Sequence, residues 1–201
     1  MEEQSRKRFV VAVIGEVDSG AETHGFATRL AELFSGADVD LQLRAGDGVF
    51  QYFVGAGGIN YCYCSTQEQR AVFLKAKERT LPRLRNDGAT SSPLWEQPHK
   101  DSHDVVGQLR HSHAFVFFPV PARDMGEIAY LLSSALSQNG ASPRIAFVGW
   151  DRKQLASLFN ALRLHSGSRS VGVFSEPESV EEAFRFLTQA RVEHDVDQLE
   201  S

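Results

Sequence analysis

Apolar and polar positions along the chain change period several times, and the changes divide it into strands and helices. Phe9-Val-Val-Ala-Val-Ile14 is an unbroken apolar, β-branched run stopped by Gly15, the pattern of a strand covered on both faces. Phe26, Leu30, Leu33 and Phe34 then recur at helical spacing as far as Ser35-Gly36, which predicts a strand–loop–helix unit. Val39 to Leu43, Gly48 to Val54 and Ile59 to Cys64 are apolar or alternating segments set off by Gly46-Asp-Gly48 and Gly55-Ala-Gly-Gly58. They predict short strands, two of them joined by a hairpin. A charged amphipathic helix is predicted from Gln67 to about Arg85, with Val72, Leu74, Ala76 and Leu81 apolar.

Further on, Ala114-Phe-Val-Phe-Phe118 and Arg144-Ile-Ala-Phe-Val-Gly149 are buried-strand patterns, each followed by a helical one, Met125 to Leu136 and Gln154 to Leu164. Ser170 to Phe174 reads as a last strand, and Val180, Ala183, Phe184 and Leu187 as the face of a last helix. Residues 86–104 turn to Gly, Ser, Thr, Pro, His and Asp around Leu94 and Trp95, the composition of an exposed loop insertion. The expected organisation is a polar tail at 1–8, one α/β domain at 9–190 interrupted at 86–104, and a polar tail at 191–201. Strands alternating with helices predict a doubly wound, mostly parallel sheet flanked by helices, with one antiparallel hairpin strand.

Composition narrows the functional classes. The 201 residues carry 21 Lys plus Arg against 26 Asp plus Glu, a formal charge of −5, so no global basic field draws the chain to nucleic acid or anionic lipid, and a protein partner is expected. Cys62 and Cys64 lie two apart in an apolar run and are poorly placed for a disulfide. No apolar stretch approaches the roughly 20 residues of a membrane span, and Val196 to Ser201 offers no cysteine for a prenyl anchor. A cytoplasmic location is the expectation. His99, His103, His111 and His113, with Asp101 and Asp104, match no metal-ligand spacing, so no metal is expected. No Gly-x-Ser-x-Gly elbow or signalled Cys–His pair supports nucleophilic catalysis.

The segment Val10 to Leu30, a strand ending in Gly15-Glu-Val-Asp-Ser-Gly20 before a helix, resembles the phosphate loop that opens a Ras- or Rab-like small GTPase, and Ser142 to Gly149 resembles that family's fifth strand. The resemblance implies a Ras-like P-loop fold, a phosphate loop comprising Gly15, Glu16, Ser19, Gly20, Ala21, Glu22 and Thr23, a second switch at Cys64, Gln67 and Glu68, and base recognition by Trp150, Asp151, Lys153 and Ser175. Measured against the family's chemistry these positions are degenerate. A phosphate loop needs a Lys and a Mg²⁺-binding hydroxyl where this chain has Ala21 and Glu22, a change of sign beside the phosphates, and one unit pair is worth about 4 kcal/mol at ~4 Å and an effective dielectric of ~20. Cys64, Gln67 and Glu68 replace an Asp, a Gly and a Gln, and Trp150 takes the place of an Asn.

What the resemblance implies is therefore a non-catalytic pseudo-GTPase: a protein-binding scaffold or adaptor subunit of a multisubunit complex, in vesicle or intraflagellar transport, with no cofactor. Phe50, Tyr52 and Phe53 are its candidate partner surface, or else groove-filling core. The alternative is an unconventional GTP/GDP-binding protein with Mg²⁺ and slow or partner-dependent hydrolysis, its missing charge supplied by Arg44, Lys75, Lys77 or a partner. A small-molecule enzyme using the carboxyl ends of the strands is a third class.

Overall fold

The computed structural model describes residues 9–17, 21–56, 60–63, 67–68, 70–76, 112–136, 143–162 and 174–199. Six strands form one sheet in the order β3-β2-β1-β4-β5-β6: β1 Val10–Ile14, β2 Asp40–Arg44, β3 Asn60–Tyr63, β4 Ala114–Phe117, β5 Arg144–Phe147 and β6 Phe174–Ser175. Every pairing is parallel. The helices are α1 Ala21–Ser35, the single turn α2 Phe50–Phe53, α3 Met125–Leu136 entered through a 3-10 turn at Ala122–Asp124, α4 Arg152–Ala161 and α5 Val180–Leu199. Residues 67–68 and 70–76 are also helical.

The strands are apolar on both faces because both faces are covered. Val11, Val13, Leu41, Leu43, Val116 and Phe118 point into one core, closed by Ala27, Leu30 and Phe34 of α1, Phe50 and Phe53 of α2, and Leu187 of α5. Ala12, Ile14, Phe115, Phe117 and Phe147 point the other way, against Ile128, Leu131 and Leu132 of α3 and Leu155 and Leu158 of α4. On α1 the buried positions Ala27, Leu30, Ala31 and Phe34 follow the three-to-four residue spacing of one helical face. Each fully buried Leu, Ile or Phe contributes about 1.5–3 kcal/mol, so these two layers carry most of the stability.

The hairpin is not present. Residues 50–53 form the helical turn α2, and β2 pairs with β3 in parallel, with Leu43 opposite Cys62. Parallel neighbours need a crossover of about a dozen residues or more, and 45–59 supplies it. Val49, Phe50 and Phe53 are all buried, a spacing that a helical turn satisfies and that an alternating strand would split between faces. Among the described residues there is no antiparallel strand of the Ras-like kind, and the all-parallel order is that of a doubly wound sheet. Residues 86–104 lie outside the described residues. Among those described, no helix is long and apolar enough to cross a membrane.

Candidate functional site

In this strand order β1 sits between β2 and β4, and the chain leaves β1 for α1 on one face of the sheet but leaves β4 for α3 on the other. The two connections diverge at the carboxyl ends of the strands, the switch point at which open parallel sheets usually form their ligand crevice.

Gly15 ends β1 with φ of +116°, a region that side chains with a Cβ rarely enter. A Cβ there would run into the Phe118 carbonyl oxygen and lie 2.8 Å from its carbon and 2.9 Å from the Pro119 carbonyl oxygen. Glycine is what lets the ends of β1 and β4 touch. The contact is secured by Glu16 N–H donating to the Pro119 carbonyl at 2.7 Å. Toward β2, Gly15 N–H donates to Asp47 Oδ2 at 2.9 Å, Val49 N–H donates to the Gly15 carbonyl at 3.1 Å, and Gly48 N–H donates to Glu16 Oε2 at 2.8 Å.

Arg44, the last residue of β2, spans the end of β1. Its Nε–H donates to Asp47 Oδ1 at 2.6 Å, Nη1–H donates to Glu127 Oε2 of α3 at 3.0 Å, and Nη2 stands 3.5 Å from Asp124 Oδ2. The Arg44 and Asp47 side chains are only 13% and 5% exposed. Burial opposes the charge on Arg44, but Asp47, Glu127 and Asp124 overcome it and hold the guanidinium above its ordinary range. Burial likewise pushes the Asp47 carboxyl up, to about 6, and outweighs the opposite pull of Arg44 and the Gly15 N–H. At neutral pH both groups are ionised and the loops after β2 and β4 are tied together over β1.

Of the residues expected to make a nucleotide site, Gly15 and Glu16 belong to this cluster and Thr23 lies beside Gly149 at the end of β5. Trp150 folds back over the sheet, its Nε1–H donating to the Phe117 carbonyl at 2.8 Å and its ring edge-on to Phe147. Asp151 caps α4 by accepting from Lys153 N–H at 2.7 Å, so its carboxylate is committed to the helix. Gln67 and Glu68 are exposed. Ser19, Gly20 and Cys64 lie outside the described residues, as do the side chains of Ala21 and Ser175. Phe50 and Phe53 are buried, Phe53 between Phe34 and Phe118, and Tyr52 is half-buried with its ring against His24. These aromatic residues fill the space beside α1. Sequence reasoning missed Asp47, Asp124 and Glu127. The signals were an Asp between two glycines at 46–48 and a charged residue, Arg44, closing a buried strand.

The sequence matches no protein-family model and no curated protein. Among solved structures the chain is similar to the Moco carrier protein from Chlamydomonas reinhardtii, at 12% identity and a TM-score of 0.57 over 93% of this chain and 99% of that one. That likeness establishes a shared fold. It overturns the small-GTPase resemblance together with the P-loop and Rab-like features expected from it, because the fold shared over nearly the whole of both chains is a carrier protein's. The pseudo-GTPase scaffold and the slow GTPase both rested on that resemblance and go with it.

Proposed function

We propose that this chain is a carrier: a protein that binds a small organic cofactor in the crevice at the carboxyl ends of β1 and β4 and holds it without transforming it. The observation that carries the reading is the fold shared end to end with a Moco carrier protein, in which the crevice falls at the switch point of the sheet. The crevice chemistry agrees with holding rather than reacting. Arg44 and Asp47 neutralise each other, Asp151 is spent on a cap and Trp150 Nε1–H on a carbonyl.

Moco is the first cargo to try, and its fit to the described residues is poor. An anionic cofactor needs free donors or an unpaired cation, whereas Arg44 faces three carboxylates and the Gly15, Glu16 and Gly48 N–H groups all have acceptors within the chain. The carrier reading therefore names a small organic cofactor and leaves Moco as one member of that class. The test is retention. The full-length chain is incubated separately with molybdenum cofactor released from a molybdoenzyme and with a panel of pterins, flavins and nucleosides, then freed of excess by gel filtration. Molybdenum is measured by mass spectrometry and the organic ligands by absorbance. Near-stoichiometric retention of one ligand, recovered chemically unchanged, is expected. Retention of none, or recovery of an altered ligand, overturns the reading.

A further inference from the structure

In open parallel sheets an anionic ligand is held at the turn after β1 because backbone N–H groups there lack partners within the chain and the next helix adds a positive end. Here the first two donors of that turn, and one on the facing turn, are already engaged. Gly15 N–H is taken by Asp47 Oδ2 at 2.9 Å, Glu16 N–H by the Pro119 carbonyl at 2.7 Å, and Gly48 N–H, on the facing turn after β2, by Glu16 Oε2 at 2.8 Å. Two of these acceptors are carboxylates, and they come from opposite sides. Asp47 reaches from the β2 turn to the β1 turn, and Glu16 reaches from the β1 turn to the β2 turn.

The space is engaged as well as the donors. The Phe118 and Pro119 carbonyls close one side of Gly15, and the Glu16 carboxylate lies against Gly48. Among the described residues the cations beside them are committed: Arg44 is shared among Asp47, Asp124 and Glu127, and Arg123, largely exposed, faces Asp124 at 3.6 Å. Glu22 adds a further carboxylate in the first turn of α1.

The geometry points to Asp47 and Glu16 as built-in occupants of the anion position: the chain's own carboxylates stand where the phosphate of a phosphorylated ligand would, and the crevice selects a cargo that presents a neutral or cationic group to the β1 turn. The inference rests on the carrier reading for there being a cargo, and adds its chemical class. Excluding phosphate is the measurable consequence. A unit charge set about 4 Å from a like charge at an effective dielectric near ~20 loses up to about 1,000-fold in affinity, before any loss of donors is counted.

The experiment uses inorganic pyrophosphate and AMP as probes, with adenosine as the unphosphorylated control, in calorimetric titrations of the full-length wild-type chain, Glu16→Gln and Glu16→Ala. Glu16→Gln removes the charge while its amide oxygen can still accept from Gly48 N–H, so the turn keeps its shape. Wild type is expected to bind neither phosphorylated probe at millimolar concentration. Glu16→Gln should gain at least about tenfold in affinity for pyrophosphate, and Glu16→Ala, which also frees the Gly48 donor, should gain more. Micromolar binding of pyrophosphate or AMP by wild type overturns the inference, as does a folded Glu16→Gln that gains nothing. Should Glu16→Ala not fold, wild type and Glu16→Gln decide. Failure of the carrier reading is separate: it shows as no retained cargo, whatever pyrophosphate does.

Discussion

Replacing Gly15 by Ala tests whether the close approach of β1 and β4 holds the crevice together. Two costs add. An alanine forced to φ of +116° occupies backbone space reserved for glycine, at about 1–3 kcal/mol. The new Cβ also meets main chain rather than a movable side chain, with the Phe118 carbonyl carbon at 2.8 Å and the Pro119 oxygen at 2.9 Å. Relieving that overlap parts the two strand ends and stretches Glu16 N–H to the Pro119 carbonyl, now 2.7 Å, and Phe118 N–H to the Ile14 carbonyl, now 2.9 Å. Each such bond is worth about 0.5–1.5 kcal/mol net. The total is about 2–6 kcal/mol, a large part of the roughly 5–15 kcal/mol of a typical domain. At about 2–4 °C per kcal/mol for a chain of this size, Tm should fall by roughly 4–24 °C.

The internal control is Gly25→Ala. Gly25 is exposed on α1 with no atom within 4 Å of a Cβ, so the same chemical change should raise stability by about 0.5–1 kcal/mol through helix propensity. Calorimetric melting of both variants beside wild type is the assay. A Gly15→Ala protein melting within about 3 °C of wild type would refute the reasoning, because neither the backbone strain nor the carbonyl contact could then be as drawn.

Three further outcomes follow. Because Asp47 titrates at about 6 in the fold against 3.8 in an open chain, its contribution to stability is fully present below the lower value and is lost as pH rises through about 6; between pH 4 and 7 wild type should lose about 2 kcal/mol more than Asp47→Asn in urea titrations. Asp151→Ala removes the cap on α4, whose carboxylate accepts from Lys153 N–H, and should cost about 1 kcal/mol by the same measurement. Gly126→Ala on α3, with nothing within 4 Å, should match Gly25→Ala in sign and size, read as a small rise in Tm.

The strands at 10–14, 114–117 and 144–147 were legible because a doubly covered strand leaves an apolar run that few other structures produce, and the faces of α1 and α3 were legible from helical spacing. The segment Val49 to Val54 was not. A short apolar segment such as Val49, Phe50, Tyr52 and Phe53 is ambiguous between a strand and a helical turn, and the burial of Val49, Phe50 and Phe53 together with the crossover that parallel β2 and β3 require decides for the turn. Misreading that turn supplied the hairpin, and the hairpin supported the GTPase resemblance. Half of the site was visible: Gly15 and Glu16 were singled out for the turn after β1, and Arg44 as a source of charge. Asp124 and Glu127 were invisible because nothing local marks them. They meet Arg44 only because the strand order sets β2 and β4 on either side of β1.

That meeting raises the question of what a buried ion pair contributes. Withdrawing Arg44 and Asp47 from water costs several kcal/mol per ion, so the pair adds little net stability, while losing one partner strands the other charge at about 3–5 kcal/mol. A double-mutant cycle separates the two effects. Arg44→Met alone should approach that range, because Asp47, 5% exposed, loses its nearest counterion and must stay buried unpaired or take up a proton. Asp47→Asn alone should cost about 1 kcal/mol, since Asn still accepts from Gly15 N–H and Arg44 keeps Glu127 and Asp124. If the charges are mutually dependent, the double variant should be more stable than the sum of the single losses predicts by about 2 kcal/mol, measured by urea unfolding. Strict additivity would mean that Asp47 is stabilised by its backbone donor rather than by Arg44. The strut across β1 would then rest on Glu127 and Asp124, both more exposed, and the loops flanking the crevice would be held by the weaker, solvent-screened half of the network.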